Sequence, residues 1–168
     1  MSVETPKPGH TKRLQHAFQA QAIEDAGAAD TSASQNRAGG CSDFTVLIIE
    51  DHRDQAESLG FVLQMWGFKA VTVHDGIAGL ETALRIKPAT VLCDIGLPGL
   101  DGFEVARQLT ATPTFQAPMA AVTAYGDPET IERCKQVGFA WHFTKPVDLA
   151  ALHCFLDDRR EILLREGR

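Results

Sequence analysis

Three acidic residues, one threonine and one lysine each stand at the end of a short apolar stretch of the chain. They are Glu50, Asp51, Asp94, Thr123 and Lys145. Neighbouring carboxylates repel one another unless a cation lies among them, and their hard oxygens suit Mg²⁺ or Mn²⁺. A divalent cation and a lysine would neutralise a transferring phosphoryl group, and a hydroxyl would bind one of its oxygens. The pattern therefore predicts phosphoryl transfer to a carboxylate.

Asp94 is the predicted nucleophile of this reaction. It heads a central loop and is followed by a tight turn at residues 96–99. A carboxylate attacks in its ionised form and needs no general base. A phosphatase of the aspartate-nucleophile hydrolase type would need a second acid two residues after the nucleophile. Gly96 occupies that position, which argues strongly against such an enzyme.

Alternating strands and helices are predicted to bring these residues together. Short apolar stretches predict strands at 44–49, 68–73, 90–93, 119–123 and 139–143. Helical patterns predict helices at about 54–66, 76–86, 102–110, 128–137 and from 148 nearly to the end. This alternation predicts an α/β fold with one parallel sheet covered on both faces. Ligands of such sheets bind at the carboxyl ends of the strands, so we expect the five side chains to share one edge.

Composition narrows the class of protein. The chain has 168 residues, a formal net charge of −6 and 44% hydrophobic residues. It is long enough for one globular domain, and the acidic balance without a basic block disfavours a nucleic-acid or membrane partner. No stretch is long and apolar enough to span a bilayer. The cysteines are widely spaced, which favours reduced thiols, and we expect a cytoplasmic protein.

The N-terminal 43 residues differ from the rest. Residues 26–40 are polar or small, so a disordered tail is the main expectation. The alternative is a short amphipathic helix, because Leu14, Phe18, Ala22 and Ile23 fall near helical spacing. The folded domain is expected to span residues 44–168 and to include an extended C-terminal helix.

About residues 44–155 resemble the receiver domains of response regulators, the CheY-like family. The likeness rests on the acidic pair Glu50-Asp51, the loop DIGLPGLDG that begins at Asp94, Thr123 with the following alanine, and Lys145 with the following proline. The resemblance implies a flavodoxin-like (βα)5 three-layer sandwich with strand order 2-1-3-4-5. It also implies a cis peptide bond between the lysine and the proline.

The resemblance also assigns roles to the site residues. Asp94 would accept the phosphoryl group, Thr123 would hydrogen-bond it and Lys145 would pair with it. Mg²⁺ or Mn²⁺ would be bound directly by Asp51, Asp94 and the main-chain carbonyl of Gly96. Glu50 would act mainly through a bound water.

Departures from the common family pattern concern the switch surface. The family usually has tyrosine or phenylalanine three residues before the lysine, whereas this chain has His142, as in receivers attached to hybrid histidine kinases. The histidine could confer pH sensitivity or have no special role. Trp141 could anchor a partner or pack under the last helix. Tyr125 stands two residues after Thr123, where it could shield the phosphoryl group.

The expected function is that of a stand-alone receiver in a two-component phosphorelay. A histidine kinase or a histidine phosphotransfer protein would phosphorylate Asp94, and a downstream protein would read the change. The domain would be no enzyme beyond its own phosphotransfer and dephosphorylation. The apolar stripe of the long last helix suggests a homodimer or partner surface. The alternative is a phosphorylation-independent interaction module, which would bind its partner equally well after Asp94→Asn.

Overall fold

The computed structural model describes residues 44–165, which belong to one compact unit. The tail and the short helix predicted for residues 1–43 lie outside the described residues, as do residues 166–168. Among the described residues, no helix combines the length and the apolar character needed to cross a membrane.

Within residues 44–165, five strands alternate with five helices. The strands are β1 Thr45–Ile49, β2 Lys69–Val73, β3 Thr90–Asp94, β4 Met119–Thr123 and β5 Trp141–Thr144. The helices are α1 Arg53–Met65, α2 Gly76–Ile86, α3 Gly102–Thr110, α4 Pro128–Gln136 and α5 Leu149–Arg165. Every strand and helix predicted from residue 44 onward is therefore present. Only β5 begins more than one residue away from its predicted start.

The late start of β5 has a local cause in the end of α4. Gly138 adopts a positive φ of 103°, and the Phe139 N–H bonds the Cys134 carbonyl at 3.0 Å. This is the hydrogen bond of a glycine-terminated helix end, so Phe139 closes α4 instead of joining the sheet. The prediction of a strand at 139–143 was wrong at this end for that reason.

The sheet is parallel throughout and has the order β2-β1-β3-β4-β5. The flavodoxin-like order implied by the resemblance is thus confirmed. The winding direction reverses between β1 and β3, which lie side by side with Ile49 paired to Cys93. Loops after neighbouring strands diverge at such a point, and this is where open α/β sheets bind their ligands.

Two apolar layers cover the sheet. Leu47 and Ile49 of β1 pack into the layer that contains α2, α3 and α4. Val46 and Ile48 point the other way, into the layer that contains α1 and α5. Because successive side chains of a strand face opposite sides, a strand buried on both faces is apolar throughout. The three-layer sandwich is therefore confirmed.

Most helix starts are capped by an aspartate. Asp75, Asp101 and Asp127 accept main-chain N–H bonds at the starts of α2, α3 and α4. Asp101 Oδ1 accepts the Glu104 N–H at 2.8 Å. The N-cap residue of α1 is His52, whose side chain makes no capping bond. The start of α1 therefore lacks the side-chain stabilisation that the three other helices have.

Helix α5 uses most of its apolar stripe inside the domain. Leu152 and Leu156 are buried, and Leu163 packs against the same layer. The ring of His153 lies 4.5 Å from that of Trp66, which follows α1. Leu164, in contrast, is exposed. The stripe that suggested a homodimer thus stabilises the monomer first, and dimerisation stays a prediction.

Candidate functional site

The predicted site residues stand at the carboxyl edge of the sheet. Glu50 and Asp51 directly follow β1, Asp94 and Thr123 are the last residues of β3 and β4, and Lys145 directly follows β5. Because all five strands are parallel, their carboxyl ends meet at one edge. The sheet therefore gathers side chains that are up to 95 residues apart in the sequence.

Lys145 joins two of the three acids. Its Nζ donates to Glu50 Oε2 at 2.7 Å and to Asp94 Oδ2 at 2.6 Å. The side chains of Glu50 and Asp94 are only 8% and 9% exposed. Burial alone would lower the pKa of Lys145, but its hydrogen bonds to Asp94 and Glu50 outweigh burial and raise the pKa above its usual value. The lysine is therefore a cation that holds two buried carboxylates together.

The loop after β3 fixes the other oxygen of Asp94. The Gly96 N–H donates to Asp94 Oδ1 at 2.8 Å. Gly102, the first residue of α3, packs so closely that a methyl group on it would lie 2.2 Å from the main-chain oxygen of Asp94. This role of Gly102 was not predicted from the sequence. A glycine directly after a capping aspartate was the available signal.

Thr123 is buried beside this group but bonds to its own loop. Its Oγ1 accepts the Tyr125 N–H at 3.0 Å, and its carbonyl accepts the Lys145 N–H at 2.7 Å. The peptide bond between Lys145 and Pro146 is cis, as the resemblance implied. The structure thus brings Asp94, Glu50 and Lys145 into direct contact, whereas the Thr123 hydroxyl stays with the loop after β4.

The outer half of the site contains Asp51 and His52. His52 Nδ1 lies 2.9 Å from Asp51 Oδ1 and 3.4 Å from Glu50 Oε1. The hydrogen bond to Asp51 and the charge of that carboxylate raise the pKa of His52. The sequence analysis did not select His52, although its position next to the acidic pair was visible.

The donor set fits a divalent cation. Three carboxylates face one lysine at this edge, which leaves an excess of negative charge. One potential ligand atom each from Glu50, Asp51 and His52 lies within 4.8 Å of the others. Hard oxygens next to solvent suit a cation that keeps several waters. Asp94 directs its oxygens to Lys145 and Gly96 in this structure, so the predicted ligand set is only partly brought together.

The three residues predicted for the switch surface have different surroundings. Tyr125 is exposed. Trp141 is partly buried, and its ring lies 5.7 Å from that of Phe155 in α5. Of the two alternatives for Trp141, packing under the last helix is what the structure shows, and a contact with a partner stays a prediction. His142 is partly buried, and burial, followed by the charge of Lys135, lowers its pKa.

Comparison with known proteins identifies the family. Residues 46–157 match the response regulator receiver domain. The chain belongs to this family. Protein PilH of Pseudomonas aeruginosa is 34% identical over 104 residues, which cover 61% of this chain and 86% of that protein. Sporulation initiation phosphotransferase F of Bacillus subtilis is 28% identical over 62% of this chain and 83% of that protein.

Other similar proteins include a longer enzyme and a receiver domain of known structure. A cyclic di-GMP phosphodiesterase of Thermotoga maritima is 33% identical over 65% of this chain, but this chain spans only 29% of its length. The receiver domain of a sensor histidine kinase from Pseudomonas aeruginosa, crystallised with magnesium in its active-site cleft, has a TM-score of 0.65 at 28% identity. The match covers 70% of this chain and 97% of that one.

Family membership establishes the general function. Receiver domains are regulatory phosphoacceptor domains of two-component systems, and they interact with histidine kinases or phosphotransfer proteins. The family predicted from the motifs is thus confirmed, and this membership supports phosphorylation-based signalling.

Proposed function

We propose that Asp94 is the phosphoacceptor of this receiver domain and that a histidine kinase or a histidine phosphotransfer protein is the donor. One observation carries the proposal: Lys145 donates to Asp94 and Glu50 at 2.6 and 2.7 Å. A lysine that serves only the surface would not hold two buried carboxylates. The same ammonium can form an ion pair with a phosphoryl group attached to Asp94, since it already contacts the Asp94 carboxylate.

The transfer needs few protein groups. An ionised Asp94 oxygen attacks phosphorus, the bond from phosphorus to the donor's imidazole nitrogen breaks, and that nitrogen keeps the electron pair. Lys145 neutralises negative charge on the transferred group. The Thr123 oxygen accepts a hydrogen bond from Tyr125, and its own hydrogen can be donated to a phosphoryl oxygen. Turning of Thr123 toward that oxygen would disturb the loop after β4.

Asp51, Asp94 and the main-chain carbonyl of Gly96 would hold Mg²⁺ or Mn²⁺, with Glu50 contributing through water. The cation supplies charge neutralisation for the phosphoryl group. The excess of carboxylates over lysine supports this ligand set, and so does the magnesium ion in the similar Pseudomonas aeruginosa receiver.

The output is a change in protein–protein contacts at the surface of α4, β5 and α5. Tyr125 donates its N–H to Thr123, His142 belongs to β5, and the Trp141 ring packs against Phe155 of α5. We place the receiver in residues 44–168, with residues 1–43 as a separate tail, and the reaction in the cytoplasm, where kinases draw on ATP. A homodimer through the exposed Leu149 and Leu164 of α5 is a further part of the proposal.

Intact mass after incubation with acetyl phosphate tests the acceptor. We expect one phosphoryl adduct on the wild-type chain with Mg²⁺, little without Mg²⁺, and none on Asp94→Asn. The matched control is Asp101→Asn, which changes another acid of the same loop but keeps a good capping residue. An adduct that persists in Asp94→Asn, or no adduct from either acetyl phosphate or a set of kinases, would refute the proposal.

Hydrogen exchange distinguishes the switch from the phosphorylation-independent module. We expect acetyl phosphate with Mg²⁺ to change amide exchange in β4, α4 and β5 of the wild type but not of Asp94→Asn. Unchanged exchange in a fully phosphorylated chain would favour the module. The contact of Lys145 with Asp94 and Glu50 favours the switch, because an interaction module alone has no need for a lysine held between buried acids.

A further inference from the structure

His52 touches both acids of the first strand end. Its Nδ1 lies 2.9 Å from Asp51 Oδ1 and 3.4 Å from Glu50 Oε1. Its side chain is 65% exposed, so packing does not force it into this position. The ring nitrogen therefore faces the cation side of the site.

Helix capping does not explain this histidine. His52 is the N-cap residue of α1 and has the extended backbone of a cap, with φ −79° and ψ 102°. The three other helices whose N-caps have been described, α2, α3 and α4, use aspartate there, with a side-chain bond to the helix. His52 makes no such bond and turns to the acids instead. His52 thus does not stabilise the start of α1 through its side chain, which instead contacts the acids of the site.

The spacing of the three ligand atoms suits one cation. Two ligands in adjacent positions of an octahedral site, each about 2.1 Å from the cation, lie about 3.0 Å apart. The measured separations from His52 Nδ1 are 2.9 and 3.4 Å. A cation could therefore contact the imidazole and Asp51 after small side-chain movements, and Glu50 would act through a water on that cation.

We propose that His52 supplies a nitrogen ligand to the divalent cation and shifts the preference of the site from Mg²⁺ toward first-row transition ions. Imidazole suits transition ions, whereas Mg²⁺ prefers oxygen ligands and keeps its waters. In either case Asp51 provides a direct oxygen ligand and Glu50 acts through a bound water. This inference rests on the proposed cation site of the receiver, and it adds a ligand that the motifs alone do not assign.

Calorimetric titration of the untagged full chain with Co²⁺ and with Mg²⁺ tests the preference. We expect His52→Asn to weaken Co²⁺ binding about tenfold or more and to change Mg²⁺ binding less than about twofold. The matched control is His74→Asn, because His74 also contacts Glu50 but does so at the main-chain carbonyl, 3.1 Å away. The control should leave the ratio of Co²⁺ to Mg²⁺ affinity unchanged.

Pulsed electron paramagnetic resonance of bound Mn²⁺ tests the ligand directly. We expect nitrogen coupling to the ion in the wild type and in His74→Asn, and its loss in His52→Asn. Equal weakening of both cations by His52→Asn, nitrogen coupling that survives in this variant, or no coupling in the wild type would overturn the inference.

Asp51→Asn separates this inference from the proposed function. If Asp51→Asn weakens both cations while His52→Asn leaves their ratio unchanged, only the role of His52 is wrong. If Asp51→Asn weakens neither cation, the ligand set of the proposed receiver site is itself wrong, and the inference falls with it.

Discussion

The inner and outer halves of the site hold their charges in different ways. In the inner half, Lys145 donates to both Glu50 and Asp94 at the sheet edge, and the two acids are almost fully buried. In the outer half, Asp51 and His52 face solvent. Buried charges depend on their partners in the protein, whereas exposed charges are solvated and screened. The inner half is therefore part of the folded structure, and the outer half is open to exchange with ions.

This division arises from one strand end. Glu50 and Asp51 are consecutive but differ in burial, since the side chain of Glu50 is 8% exposed and that of Asp51 is 28% exposed. Glu50 turns inward to Lys145, while Asp51 turns outward to His52. An acidic pair thus provides one acid that fixes the lysine and one that can receive a cation. Substitutions in the inner half should accordingly affect stability and phosphorylation together, and those in the outer half should separate the two.

Removal of the positive charge of Lys145 should have the largest effect on stability. We expect Lys145→Met to lower the free energy of unfolding by about 3 kcal/mol, because two buried carboxylates lose their counter-charge. Millimolar Mg²⁺ should restore part of this loss. Urea unfolding at pH 7.5 measures both effects.

The control for this prediction is Lys135→Met. Lys135 forms an exposed ion pair with Glu132 at 3.7 Å, and such pairs contribute at most about 1 kcal/mol. If Lys145→Met and Lys135→Met lower the free energy of unfolding equally, the charge of Lys145 stabilises the fold no more than that of an exposed lysine.

Two glycines of the acceptor loop provide the next comparison. We expect Gly102→Ala to lower the free energy of unfolding by about 2 kcal/mol and to slow phosphorylation, because the added carbon would meet the main chain of Asp94 and Ile95. Gly96→Ala should change stability little, since its added carbon would meet only Asp94 Oδ1 at 3.5 Å. Thermal unfolding and adduct formation with acetyl phosphate report the two effects. Equal behaviour of the variants would contradict a tightly packed inner half.

The elements and the inner residues were largely predictable from the sequence. The apolar run 44–49 is too short for a helix and rich in strand formers, which favours a strand buried on both faces. The residue types at the strand ends pointed to Asp94 and Lys145. The order of the strands came from the resemblance to receivers, because apolar patterns do not specify which strands pair. The same motifs gave the family.

Side-chain directions were beyond the sequence. The division of Lys145 between two acids depends on strand register and on the close packing of Gly102. The bond from the Tyr125 N–H to Thr123, and the turn of His52 to the acids, are local choices among several allowed conformations. Helix ends add a further limit, as Phe139 shows by bonding to α4 in place of the sheet.

Substitution of His52 in the outer half should not destabilise the fold and should even stabilise it. We expect His52→Asn to raise the midpoint of thermal unfolding by about 2 °C in the absence of divalent cations, because asparagine is a favoured N-cap and the backbone already has the cap conformation. Differential scanning calorimetry in buffer with a chelator measures this. A lower midpoint would mean that contact with the acids stabilises the fold more than a cap would.

The smallest expected effect is the contribution of His142 in β5 to the pH dependence of stability. Burial, with a contribution from Lys135, holds its pKa below the ordinary 6.5. Below pH 6.5 the unfolded chain therefore binds a proton that the folded domain does not, so this residue's contribution is complete above pH 6.5 and declines as the pH falls toward the lower folded pKa. We expect His142→Phe, which keeps a ring but removes the titration, to lose less stability than the wild type between pH 7 and 5.5 in urea unfolding. Parallel losses in the two proteins would mean that His142 is protonated equally easily in the folded and the unfolded chain, as a fully solvated histidine would be.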